Sequence, residues 1–459
     1  ILAGCEKPLV GWNKHVHSDD ALNAQKSITA ERLREHITTL ASDKFEGRFP
    51  GTIGEEMTVE YLSETYEKLG LKPGNTDGKW IQKATMTGVI SDYKAQFLSD
   101  DERWVMKVGI DIVGNSYQTK EFVNIKKTEL VYCGYGVNAP EYGWNDFEGI
   151  NVKGKVIVVL VNDPPIMKNG EMDDSMFGGK AMTYYGRWSY KFEEGLRQGA
   201  VGVLVVHETQ PAGYPFTVLQ GGYNGEQLMI ENPNVTPLAF QGWIPLSSVE
   251  KLFQMSGMNY QELKAAAVRP DFKAVALKST FTSKMTNSVR RFDSNNIVAK
   301  YEGTDPELKD EYIIYTSHWD HLGKNTKLEG DQIYNGANDN ASGTGTIMAV
   351  AEAFTNLSEG SKRSILFLAV TAEEQGLLGA TYYSINPLIP LEKTVAVINI
   401  DAMGNNYGKT KDLIVVGKGN SELDLVLEYA ASQDGKYLIP DAEPEKGFYY
   451  RSDHFAFAK

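Results

Sequence analysis

Three short apolar runs in the last third of the chain constrain its fold most: residues 312–316, 364–370 and 394–400. The second reads Ser-Ile-Leu-Phe-Leu-Ala-Val, with no alternation of polar and apolar side chains. A strand can be apolar at every position only if both its faces are covered, as in a parallel sheet with helices on either side. Between the first two runs, residues 345–354 are rich in small side chains and read as a helix. Strand, loop and helix alternate from about residue 295, so an α/β layer on a largely parallel sheet is expected there. No run approaches the roughly 18 apolar residues a membrane-spanning helix needs, and no fixed-period repeat is evident.

Upstream, residues 28–71 read as two helices. Thr29 is followed by Arg32, Leu33, His36, Ile37 and Leu40 at helical spacing, and a second helix runs from about Gly54 to Leu69 with Gly70 as its stop. Residues 42–51 form a turn-rich connection between them. From about 80 to 280 the texture changes to short β-like runs at 129–133, 156–161 and 201–206, with a helix over 191–199. This reads as a separate module of mixed strand and helix. The expected division is 1–27 as a tether, 28–120 as the first part of the main domain, 121–285 as an inserted domain, and 286–459 as the remainder of the main domain. With 459 residues, two large domains or three smaller ones are in line.

The charge balance, 46 Lys and Arg against 60 Asp and Glu, gives a net −14. That argues against nucleic acid as a partner, because phosphate binding needs a basic surface. The two cysteines, Cys5 and Cys133, exclude a disulfide framework. Ile1-Leu2-Ala3-Gly4-Cys5 resembles a bacterial lipobox, in which small residues precede a cysteine that becomes lipidated. The expectation is an exported chain, periplasmic or at the cell surface, touching a membrane only through a lipid on Cys5. Oligomeric state is not legible.

The chemistry concentrates where the last three apolar runs end. The first runs into Ser317-His318-Trp319-Asp320-His321, the second into Thr371-Ala372-Glu373-Glu374, and the third into Asp401. The loop Gly336-Ala337-Asn338-Asp339-Asn340-Ala341-Ser342-Gly343 opens the intervening helix. Open α/β sheets place their sites at these C-terminal strand ends. One His, three Asp and two Glu brought to one edge would repel and lose hydration unless cations compensate them. A mixed imidazole and carboxylate set suits zinc, with cobalt or manganese as substitutes. If extended geometry continues past the first run, His318 and Asp320 share a side, so the carboxylate can orient the imidazole. On the same reasoning His321 faces away and is set aside. Adjacent Glu373 and Glu374 cannot point the same way, so one can hold metal while the other serves as general base. H-E-x-x-H and G-x-S-x-G are absent. Gly149 to Lys155 fits G-x-x-x-x-G-K but leads into a strand where a phosphate loop needs a helix.

Four motifs taken in order, His318-Trp-Asp320, Gly336 to Gly343, Ala372-Glu373-Glu374-Gln-Gly-Leu-Leu-Gly379 and Asn399-Ile-Asp401-Ala-Met-Gly404, closely resemble the di-zinc aminopeptidase family, which also contains glutamate carboxypeptidase II. Residues 41–48 with 51–54 are similar to that family's N-terminal stretch. Gly134-Tyr-Gly136 and residues 152–158 resemble the protease-associated domain inserted in many members. The resemblance implies a zinc-exopeptidase-like fold, with a mostly parallel sheet, helices on both faces and an inserted protease-associated domain. It implies two zinc ions per chain. His318, Asp339 and Asp401 would hold one, while Asp339 would bridge to a second that Glu374 also binds. Glu373 would be the general base toward a metal-bridging hydroxide, Asp320 the residue orienting His318, and Arg451 a substrate-binding residue.

In that family a second histidine ligand follows the Ser-Asp-His segment, in a Tyr-His motif. Here the segment is Ser452-Asp453-His454 and the sequence closes at Lys459. The matching histidine, with a last strand and helix, is therefore expected beyond Lys459, and His454 is not its counterpart by motif. The implied activity is an aminopeptidase acting on peptides. Alternatives are a glutamate-type carboxypeptidase, which would need an arginine cluster for the substrate's carboxylate, a non-catalytic binding module on the same fold, and a single-zinc glutaminyl cyclase.

Overall fold

The strand Ser364–Val370 is buried at all seven positions, as its unbroken apolar character requires. It lies within the first of two compact units of the chain. The computed structural model describes residues 18–223, 225–403 and 410–459. The first unit comprises the described parts of 1–85, 292–408 and 452–459, and the second those of 86–291 and 409–451.

In the first unit the elements are α1 (Ala30–Leu40), α2 (Ile53–Lys68), the later part of β1 (Val275–Tyr301), β2 (Tyr312–His318), α3 (Ser342–Thr355), β3 (Ser364–Val370), α4 (Leu378–Ile385), β4 (Thr394–Asn399) and α5 (His454–Ala458). The strand order is β4-β2-β3-β1. β2 runs parallel to both β4 and β3, and β1 is antiparallel to β3. Period-2 alternation sorts the side chains of β3. Ile365, Phe367 and Ala369 join Leu40 of α1, Leu62 and Tyr66 of α2 and Ile347, Met348 and Ala351 of α3 in one core. Leu366, Leu368 and Val370 face Ala380 and Tyr383 of α4 and Phe457 of α5. Each such large apolar side chain stabilises the layer by about 1.5–3 kcal/mol relative to exposure. Helices therefore cover both faces of a mostly parallel sheet, the expected α/β class.

The two early helices begin as their caps dictate. Thr29 Oγ1 accepts from Arg32 N at 3.2 Å, and Thr52 Oγ1 accepts from Gly54 N at 3.2 Å. α2 stops before Gly70, whose φ of +77° is a left-handed stop. Between them Arg48, with φ +52°, turns the chain and becomes fully buried.

In the second unit, strands Phe122–Tyr132, Val156–Leu160, Gly202–His207 and Phe240–Pro245 are parallel in that order. Val113–Asn115 pairs antiparallel at one end and the earlier part of β1 at the other. The helix Trp188–Arg197 precedes the third of these strands, as the spacing suggested. Residues 154–155 lead into the strand Val156–Leu160, so the glycine-lysine segment is not a phosphate loop. Residues 86–120 and 409–451 fall in this unit, where the change of composition alone had assigned them to the main domain. Two contacts account for the second segment: Met182 N donates to the Pro444 carbonyl, and the rings of Tyr184 and Tyr450 meet at 5.9 Å. Cys133 is buried here, whereas Cys5 lies outside the described residues. Among the described residues no helix is long and apolar enough to cross a membrane.

Candidate metal centre

The three parallel strands of the first unit release their chains at one edge. From β2 the chain crosses to β3, then returns past β2 to β4, so the loops after these strands meet where the crossovers part. β2 ends at His318, whose imidazole is buried. Its Nε2 lies 3.1 Å from Asp339 Oδ1, 3.4 Å from Asp401 Oδ1 and 3.9 Å from Glu373 Oε2. His318, Asp339 and Asp401 can each offer one ligand atom within 4.8 Å of the others. A second set, His321, Asp339 and Glu374, meets the same criterion and shares Asp339 with the first. In it His321 Nδ1 lies 2.6 Å from Glu374 Oε1.

Local hydrogen bonds place each loop. Asn340 Nδ2 donates to the Ile400 carbonyl at 3.1 Å, and its Oδ1 accepts from Gly343 N at 2.8 Å and Ala402 N at 3.3 Å. That ties the loop carrying Asp339 to the strand end carrying Asp401. A Cβ on Gly343 would sit 2.3 Å from both Asn340 Oδ1 and Ile400 O, so the approach requires glycine. Asp320, fully buried, accepts from Glu373 N at 3.0 Å and Glu374 N at 3.4 Å. Its carbonyl oxygen lies 3.2 Å from His318 Nδ1 and its carboxylate 3.7 Å. Asp320 therefore holds the two glutamate peptides as well as the imidazole. Ser452 Oγ donates to Asp401 Oδ2 at 2.6 Å, fixing the second oxygen of that carboxylate.

Arg48 underlies this assembly. Its guanidinium donates to the carbonyls of Leu40 (2.6 Å), Trp319 (2.8 Å), Asn335 (2.8 Å) and Gly336 (2.9 Å). Burial draws its pKa down to about 10, against the opposing pull of Asp320, Asp339 and Glu374.

The electrostatics are those of a crowded anionic pocket. Burial opposes a charge on His318, yet Glu373 and hydrogen bonds to Asp320, Asp339 and Asp401 hold its pKa well above the ordinary value. Burial raises Glu373 well above the carboxylate range. His318 opposes the shift, and Asp453, Asp401 and Glu374 add to it. Asp401 moves the other way: burial works against its ionisation, but His318 and Ser452 outweigh burial and hold it low. Asp453 is fully buried, both its carboxylate oxygens lack a hydrogen-bond partner among the described residues, and burial pushes it up to about 8. Crowded, under-partnered carboxylates beside two imidazoles fit cations. The donor set, nitrogen and oxygen without sulfur, fits zinc and also cobalt or manganese.

The structure thus brings together His318, Asp339, Asp401, Glu374, Glu373 and Asp320. Arg451 belongs to the second unit, where its Nη2 donates to the Lys446 carbonyl at 2.5 Å and its Nε lacks a partner among the described residues. His321 had been set aside on strand parity, and here the structure corrects the expectation. β2 ends at His318, and beyond it the extended alternation no longer applies. The Asp320 carboxylate turns to the glutamate peptides, and His321 N donates to the Arg48 carbonyl at 3.3 Å. Arg48, Asn340 and Ser452 were also not legible as site residues, because their roles depend on contacts between distant segments.

Residues 296–459 match the family model described as peptidase family M28. Leucine aminopeptidase 2 of Arthroderma otae is 30% identical over 192 residues, covering 40% of this chain and 35% of that protein. Aminopeptidase YwaD of Bacillus subtilis is 32% identical over 111 residues, covering 24% and 22% respectively. The chain thus spans about a third or less of these relatives' lengths. Among solved structures, an aminopeptidase from Aneurinibacillus sp. strain AM-1 superposes with a TM-score of 0.51 at 18% identity, covering 95% of this chain and 84% of that one. At that identity the likeness is one of fold. The ordered motifs at the strand ends all fall within residues 296–459, the part of the chain that is similar to peptidase family M28.

Proposed function

We propose that the chain is a zinc-dependent exopeptidase that removes residues from the free N-terminus of peptides. The observation that carries this reading is the pair of nitrogen-and-oxygen triads sharing Asp339, with the Glu373 carboxylate 3.9 Å from His318 Nε2. His318, Asp339 and Asp401 would hold one zinc ion, and Asp339 with Glu374 a second. When bound, zinc would polarise the scissile carbonyl and acidify the attacking water. Glu373 takes the proton from that water and delivers it to the leaving amine. Asp320 keeps the backbone of both glutamates in place while this happens, through the two peptide N–H groups it accepts. Arg451, whose guanidinium burial lowers from its ordinary pKa, is carried over as a substrate-binding residue. The second unit is read as a protease-associated module, and the lipobox-like start as an export signal with an anchor on Cys5.

Peptides blocked at one end test the assignment. Cleavage of a C-terminally amidated peptide, with an N-acetylated one left intact, supports the aminopeptidase. The reverse pattern selects the carboxypeptidase. Zinc binding with neither peptide cleaved selects the binding module.

A further inference from the structure

We infer that Arg187 and Arg451 together form a carboxylate-binding site within the second unit. The carboxylate is that of a small free acid or of the end of a peptide. The inference is independent of the metal-dependent reading above.

Segments from two distant parts of the chain meet there. Met182 N donates to the Pro444 carbonyl at 3.0 Å, Lys180 Nζ lies 3.6 Å from Glu445 Oε2, and the rings of Tyr184 and Tyr450 are 5.9 Å apart. These contacts bring the segment leading to Arg187 against the segment leading to Arg451. Arg187 is only 8% exposed. Its Nε and that of Arg451 are both buried without a hydrogen-bond partner among the described residues. Arg451 Nη2 is committed to the Lys446 carbonyl. The guanidinium carbons lie 5.9 Å from the Trp188 ring and 5.2 Å from the Phe448 ring, so each cation is already seated against an aromatic group. The phenol of Tyr214 feels both guanidinium charges. Burial and then the charge of Arg451 draw Arg187 down to about 10, with Tyr214 and Tyr184 opposing. Among the described residues no carboxylate pairs with either guanidinium. Arginine keeps its charge at neutral pH. Two such charges brought together, each with a buried donor unused, cost free energy that an anion would offset. One Nε–H from each arginine suits the two oxygens of a single carboxylate, and the forked shape of a guanidinium allows a second bond beside each. Aromatic surroundings favour an organic acid over a hydrated inorganic ion.

Arginine side-chain NMR on the full chain, labelled with nitrogen-15 arginine and titrated with N-acetyl-leucine, N-acetyl-leucinamide, acetate and inorganic phosphate, tests the inference. N-acetyl-leucine should move two Nε–H resonances, those missing from Arg187→Met and Arg451→Met, and the amide should move neither. Each variant should bind the acid about 10–100-fold more weakly, the range expected when hydrogen bonds to a charged group are lost. Acetate binding as tightly as N-acetyl-leucine identifies a small free acid, and weaker acetate identifies the end of a peptide. No arginine resonance moved by the acid would overturn the inference, as would acid and amide acting alike, or both variants binding the acid as tightly as the wild-type chain. Phosphate binding more tightly than either carboxylate would overturn it too. The comparison of acid with amide on the wild-type chain decides the matter even if a variant fails to fold. No readout uses metal content or peptide cleavage, so the site can stand while the peptidase falls, and the reverse.

Discussion

The Nε–H of Arg48 donates to the carbonyl of Trp319 at 2.8 Å, joining a turn near the start of the chain to the residue between His318 and Asp320. The same guanidinium binds the carbonyls of Asn335 and Gly336, in the segment that leads to Asp339. One planar side chain thus sets the spacing of two ligand-bearing loops, which its fork of five donors is suited to do.

Arg48→Met should destabilise the first unit by on the order of 3–5 kcal/mol, because it strips hydrogen bonds from two buried and two part-buried carbonyls. Arg48→Lys should recover only part of this, since an ammonium cannot reach four carbonyls in the same geometry. Urea unfolding checks both, and a loss under about 1 kcal/mol for Arg48→Met would contradict the clamp.

Asp320→Asn keeps the size of the side chain but removes its charge, and its amide NH₂ cannot accept from a peptide N–H. Two acceptor oxygens serve Glu373 N and Glu374 N in the native site. The variant should bind zinc and turn over peptide about 10–100-fold less well, as loss of such supporting contacts commonly does. Competition with a chromogenic chelator measures the first effect directly.

The strand ends were legible because a continuous apolar run has one physical solution and its C-terminal end is where open sheets leave room. That places His318, the Glu373-Glu374 pair and Asp401 at one edge, while the ligand roles, that of Asp339 in the loop before α3 included, came from the family resemblance. His321 did not follow, because parity reasoning holds only while the backbone stays extended, and β2 stops at His318. Arg48 was invisible for another reason: its partners lie 8 to 288 residues away, and nothing local distinguishes it from a surface arginine. The boundaries at 85 and 291 were missed because the two long strands Ile81–Leu98 and Val275–Tyr301 cross them without a break in pattern.

The second unit holds a buried charge group that gives a pH signature independent of metal. Burial raises Asp146 to about 6 and Asp163 to about 6, each opposed in part by Lys191, and lowers Lys191 to about 8, opposed in part by both carboxylates. Between about pH 4 and 6 the native state keeps more protons on the two carboxyls than the unfolded chain does. Their contribution to stability therefore falls as pH rises through that window. Between about 8 and 10.5 the native state holds fewer protons on Lys191 than the unfolded chain, so stability rises there. Lys191→Met removes the cation facing both carboxylates. Its stability deficit against wild type should grow from pH 5 to pH 7, followed by the urea midpoint of a probe in this unit. A deficit independent of pH would contradict the coupling.

Glu373 is the residue on which the central claim turns, since it has no place in either triad yet lies beside His318. The most direct test is the initial rate of leucine release from a leucyl chromogenic substrate by the wild-type chain and Glu373→Gln, at matched and measured zinc content. The account predicts that Glu373→Gln keeps its zinc and loses about 10²–10⁴-fold in rate, the range expected for removing a general acid–base group. Equal rates at equal zinc content, or no stoichiometric zinc in an active wild-type chain, would contradict it.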